Sequence, residues 1–214
     1  MAERPRLSYA TPIARIETLA DGIFAIAKTL LVLEVGVDSG LEGGDLRHAL
    51  REQWPRYMSY VLSFLVLGVY WMAHQGQLGY IQRADRTFAW ITIVFLGFVA
   101  FVPFTAGLLG EYRDEPTAIV IYGGNLIGIG IVLLTLWWYA TRIGDLTDEV
   151  TPMIDHLVLG RLITAPVAYA IGIALCVVST RVSIVVFIIV PVLYAIPHAV
   201  ELIWERIPLG HHHD

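Results

Sequence analysis

Charge is scarce in this sequence and cysteine almost absent. Asp, Glu, Lys and Arg make up 15% of the 214 residues and hydrophobic residues 57%, against about 25% and about 45–50% in soluble domains. That balance, with a mean hydropathy of +0.66, excludes a water-soluble globule and indicates a membrane protein. The one cysteine, Cys176, lies in an apolar run, which excludes a disulfide scaffold, a Cys-based zinc site and an iron–sulfur cluster. Basic residues are also few: Lys+Arg 14 against Asp+Glu 19 gives a net charge of -5, with no basic surface for nucleic acid. There is no short apolar segment ending in a small-residue cleavage site, so Met1 to Glu17 reads as mature chain, not as a removable secretory signal. Internal repeats and low-complexity tracts are missing too.

Long apolar runs fill the space that charge leaves. A bilayer-crossing helix needs about 20 mainly apolar residues. Five uncharged stretches qualify: Tyr57 to Ala73, Phe88 to Gly110, Ala118 to Ala140, Leu162 to Thr180 and Val182 to Val200. A sixth and earlier one, Ile16 to Val37, is apolar on most faces but carries Asp21, Lys28 and Glu34. The expectation is an all-α integral membrane protein. One six-helix transmembrane domain covers residues 1–214, with approximate spans 13–37, 54–77, 86–110, 116–141, 157–179 and 181–204. Asp114-Glu115-Pro116 and Gly160-Arg161 supply start signals for spans four and five. Trp54, Tyr57 and Tyr60 at span two and Trp137, Trp138 and Tyr139 at span four read as interfacial anchors. Asp45 to Trp54 alternates charged and apolar residues at helical spacing, as a surface-lying or extramembrane helix does.

With the N-terminus inside, Arg4, Arg6, Arg15, Arg83, Arg86, Arg142, Arg161 and Arg206 fall on the cytoplasmic side, and Arg47, Arg51, Arg56, Arg113 and Arg181 outside. The bias favours a multi-pass protein of the cell membrane with both termini cytoplasmic. Pro103, Pro166, Pro191 and Pro197 lie inside spans, where they kink helices. Gly124-Asn-Leu-Ile-Gly128 would let another helix approach, within the subunit or between subunits.

Ionisable groups inside a span cost several kcal/mol each and need a reason. At 100° per residue, Ile23, Ile26, Leu30, Leu33 and Glu34 share one stripe of span one, while Asp21 and Lys28 share another on nearly the opposite side. Asp21 and Lys28 are expected to face the interior of their own subunit, in a buried polar network with Arg15, Trp71, His74 and Asn125 as available partners. A proton relay is the other reading of the same residues. The apolar stripe is either an ordinary packing or lipid face, or a set of stacked hydrophobic rings around a symmetry axis capped by carboxylates. Periodicity alone leaves both open.

The residues from Arg15 to Glu34, with Leu19-Ala20-Asp21-Gly22 at their centre, resemble the first-helix signature of the transmembrane protein 175 potassium channel family. The likeness extends through Tyr70-Trp71-Met72-Ala73-His74 and through Trp90 to Phe104, with its Phe101-Val102-Pro103-Phe104 close. The resemblance is to a prokaryotic, single-repeat member. It implies a homotetramer in the lipid bilayer, with the first helix lining a central pore and Ile26, Leu30 and Leu33 at the constriction. Ile23 and Glu34 would line the same pore. The resemblance also implies passive potassium conduction through an apolar squeeze about 10 Å long, with no cofactor and no carbonyl filter, Glu34 concentrating cations at the outer mouth. Two positions depart from the family pattern: Leu19-Ala20 stands where Phe-Ser is common, and Lys28 where an apolar residue is usual.

Other classes have less support. His74 and His198 have no partner at a spacing diagnostic of catalysis, and no enzyme is expected; haem ligation by the same two histidines is open in principle, with an ordinary core or helix-end role favoured. A proton-coupled secondary transporter could use Asp21, Lys28 and His74, although paired repeats with broken helices are not evident. A non-conducting structural protein of the same fold is the third reading. His48 and His156 sit in polar connections, and His211 to His213 form a solvated tail or a short tag remnant.

Overall fold

The computed structural model describes residues 12–36, 46–147 and 150–196. Within them the chain is all-helical: α1 (Ile13–Leu30) continuing into a 3₁₀ segment (Leu31–Val35), a short α2 (Leu46–Glu52), then α3 (Trp54–Leu78), α4 (Arg86–Glu111), α5 (Pro116–Arg142), α6 (Pro152–Cys176) and α7 (Thr180–Ala195). Four of these, α3 to α6, are long and apolar enough to cross a membrane, and α7 is a shorter apolar helix. Pro197, His198 and the histidine tail lie outside the described residues.

Several helix starts are set by local chemistry. Asp85 caps α4 by accepting the Phe88 N–H at 2.8 Å. Pro116 and Pro152 occupy first-turn positions of α5 and α6, where a missing N–H costs nothing. Thr151 caps Ile154, so α6 begins at Pro152 rather than at 157 as the apolar run suggests. Pro103, Pro166 and Pro191 remain inside continuous helices; neighbouring helices are needed to absorb the bonds they remove.

Consecutive long helices pack on one another from α3 to α7, α7 returns against α3, and α1 lies on α4 and α3. The core is aromatic: Phe187 stacks on Tyr169 with ring centroids 5.2 Å apart and lies 5.8 Å from Tyr122. Glycines let α5 enter this core. A Cβ at Gly130 would stand 2.4 Å from Cγ of Pro166, and one at Gly123 would stand 2.6 Å from Phe187. Of the expected Gly124/Gly128 pair, Gly128 meets Phe98 of α4 within the chain, while Gly124 has open space beside it.

Two of the expected interfacial anchors prove to be tied into the protein. Trp137 is fully buried and donates to Asp155 at 2.8 Å, and Tyr139 donates to Asp85. Trp138 and Trp54 remain exposed. Arg142 also pairs with Asp155, and the α3–α4 and α5–α6 connections are joined by Gln82 N–H to the Leu146 carbonyl and a bridge between Ile81 and Thr147. Asp145, in this link, has φ 47°, a left-handed conformation that Asp tolerates better than most residues.

Candidate functional site

Helix α1 divides its surface sharply. Ile16, Ala20, Phe24 and Ala27 recur every three or four residues and are buried against α3 and α4, Phe24 resting on Phe95 at 5.9 Å. Ile26, Leu30 and Leu33 are 56, 41 and 70% exposed, although they are large and apolar. Ile23 is half-buried and packs on the core at the margin of that row. Leu19 lengthens the uncovered apolar surface toward the start of the helix.

Glu34 departs from the helical wheel, because α1 does not stay α-helical. From Leu31 to Val35 the chain winds as a 3₁₀ helix, in which residues three apart eclipse. Leu33 therefore stays in line with Leu30, while Glu34 turns about 80° further than an α-helix would carry it and comes above the buried Leu31. Its carboxylate lies over Gly107 of α4, where an added Cβ would be 2.2 Å from Oε2. The surrounding niche is lined by Arg56, Ser59, Tyr60, Ala106 and Gly110. Glu34 thus leans on its own chain and not along the Ile26 row.

The polar residues of α1 sit to one side of its buried face and are not enclosed as expected, Asp21 being exposed and Lys28 half-buried. Asp21 accepts from the Trp71 indole at 2.7 Å and from the Gln75 amide at 2.9 Å. Trp71 and Gln75 are one turn apart on α3 and present two donors to one carboxylate. Gln75 lies outside the network expected from the sequence; its position four residues after Trp71 is the signal that could have found it.

Asp21 and Lys28, expected in one network, make no ion pair with each other. Seven residues separate the two by about 10 Å along the axis, and Trp71 links them instead: its indole donates to Asp21 while the Lys28 ammonium is 5.4 Å from its ring centroid and 5.7 Å from that of Phe64. Lys28 is the sole lysine of the sequence, and aromatic faces attract its charge where water is excluded.

The remaining members of the expected network are dispersed. His74 is fully buried, stacked on Phe95 at 4.8 Å with neither ring nitrogen hydrogen bonded. Asn125 donates to the Phe98 carbonyl at 3.3 Å on the α4–α5 seam. Arg15 is exposed and makes no ion pair among the described residues. One cluster, Asp21–Trp71–Gln75 with Lys28 over the same indole, is therefore what the fold assembles from those residues. Among the described residues no group of three or more His, Cys, Asp or Glu could hold a metal ion.

These features define an integral helical protein whose first helix offers a row of apolar side chains that its own chain leaves uncovered. Residues 15–103 match the family described as the endosomal/lysosomal potassium channel TMEM175. A potassium channel of Chamaesiphon minutus is 32% identical over 202 residues, covering 92% of this chain and 98% of the relative. A potassium channel of Streptomyces collinus is 39% identical over 145 residues, 66% of this chain and 69% of the relative. The crystal structure of a lysosomal potassium-selective channel TMEM175 homologue from Chamaesiphon minutus superposes with a TM-score of 0.76 at 31% identity, covering 86% of this chain and 96% of that one. The chain belongs to the TMEM175 family.

Proposed function

We propose that this chain is one subunit of a potassium-permeable channel, in which α1 lines the pore of a homotetramer. Six helices, α1 and α3 to α7, cross the bilayer, and both termini are cytoplasmic. The observation that carries the reading is the exposed row Ile26, Leu30 and Leu33 on a helix whose opposite face packs inside the subunit. Exposed apolar rows mark contact with something other than water, and membership of a channel family supports placing that contact at a shared axis. Relatives named potassium channels support the choice of ion.

Four copies of the row stack as three apolar rings. Ile26 and Leu30 are four α-helical residues apart and Leu30 and Leu33 three 3₁₀ residues apart, so the dry segment is about 12 Å long. Conduction through it is passive: a cation sheds or squeezes its hydration shell, and potassium, which holds water less tightly than sodium, crosses more easily. Lys28 is kept off the axis by Trp71 and Phe64, on the side of α1 away from Ile26, so that its charge repels entering cations least.

Liposome flux tests the reading. Ile26→Asn places an amide ring in the squeeze and is expected to raise sodium flux relative to potassium flux while oligomer mass is unchanged. Potassium and sodium fluxes identical to those of the unmodified protein would overturn it.

A further inference from the structure

A second feature lies at the end of the bundle where α4 finishes and α3 and α7 begin. There a cavity of about 370 Å³ is lined by Trp54, Met58 and Leu62 of α3, Leu109 of α4, and Ile184 and Ile188 of α7, among others, with Arg113, Asp114 and Arg181. The charged residues and the exposed Trp54 occupy one end of it, the level at which tryptophans mark the headgroup region. From there the apolar lining runs down the helices, about 12 Å from Trp54 to Leu62 and about 10 Å from Arg181 to Ile188. This is the outline of an amphipathic ligand lying along the bilayer normal, with a polar head and a chain.

Among the charges that line the trough itself, arginine predominates, which favours an anion there, although Glu52, Glu111 and Glu115 line the neighbouring surface. Arg113 and Arg181 outnumber Asp114, which sits 3.4 Å from Arg113 with both partners largely exposed, a pairing that leaves most of the guanidinium's capacity free. Arg181 lies in the first turn of α7, a turn with no acidic residue and no side-chain cap. A cation at an uncapped helix N-terminus is placed against the positive end of the dipole, and an anion resolves that conflict by accepting from the free N–H groups and the guanidinium together.

We propose that this trough binds an anionic glycerophospholipid, its phosphate between Arg113, Arg181 and the start of α7 and one acyl chain over Met58, Leu62, Leu109, Ile184 and Ile188. The site depends on α3, α4 and α7 standing in a bilayer and is independent of whether α1 conducts.

The test is native mass spectrometry of the full-length protein in detergent with added phosphatidylglycerol or phosphatidylcholine of identical chains. Phosphatidylglycerol adducts are expected to survive, and to weaken about fivefold in Arg113→Gln or Arg181→Gln and about 25-fold in the double variant. Met58→Trp, which fills the trough and keeps both arginines, covers the case in which the double variant fails to fold; it is expected to lose the adduct at unchanged oligomer mass. Equal retention of phosphatidylcholine, competition by inorganic phosphate at equal concentration, or subunit dissociation in Met58→Trp would each overturn the proposal, assigning the trough respectively to any lipid, to a free anion, or to a neighbouring copy of the chain.

Discussion

Helices α1 and α5 both pack in the same bundle, yet they use their side chains differently. In α5, Ala118, Ile119, Tyr122, Gly123, Asn125, Leu126, Ile129, Gly130, Leu133, Leu136, Trp137 and Ala140 are buried, and α4 and α6 pack on either side of it. In α1 only Ile16, Ala20, Phe24 and Ala27 are buried, and the helix carries an aspartate, a lysine and an uncovered apolar row. The interior of α5 is satisfied by its own chain. Most of the surface of α1 finds no partner there.

Overfilling α5 should do the most damage. Gly130→Ala drives a methyl into the rigid ring of Pro166 and is expected to destabilise by about 3 kcal/mol, read as a lowered melting temperature in detergent. Gly124→Ala, fewer than two turns away with nothing within 4 Å, should leave melting unchanged or raise it slightly. Equal losses in both would mean that α5 is not packed as described.

A smaller effect is expected on α1. Asp21→Ala removes the acceptor of Trp71 and Gln75 and should cost about 1 kcal/mol, since interhelical hydrogen bonds in membranes are individually modest. Asp21→Asn, which keeps one oxygen acceptor, should restore part of it. Unaltered melting of the alanine variant would count against a holding role for this cluster.

The mildest change is Gly107→Ala. The displaced group is the mobile end of Glu34, so stability should hold, while the carboxylate is pushed off α4. Potassium flux is then expected to change at low ionic strength and to match the unmodified protein in high salt, where surface charge is screened. A flux difference that persists in high salt would show that the substitution acts through packing.

Legibility in the sequence divides along the same line. The runs of α3 to α6 are plain because uncharged stretches of that length have few alternatives, and the Ile26, Leu30 and Leu33 row is plain because α-helical periodicity holds as far as Leu30. Glu34 is misdirected by the wheel, since no residue between Leu31 and Val35 announces a change from 3.6 to about 3 residues per turn. Gln75 escapes notice because it is uncharged. Asp85 and Asp155, the acceptors for Tyr139 and Trp137, lie next to the connections, where a carboxylate is unremarkable, and position alone makes their partners look like belt aromatics.

The tight winding at the end of α1 has a mechanical corollary. A segment with a steeper thread is also a stretched one: relaxing its few residues to the ordinary pitch would shorten the helix by about 2 Å and swing Glu34 through nearly a quarter circle. Such a twist would bring a negative charge to face the Ile26 row while the rest of the bundle stood still.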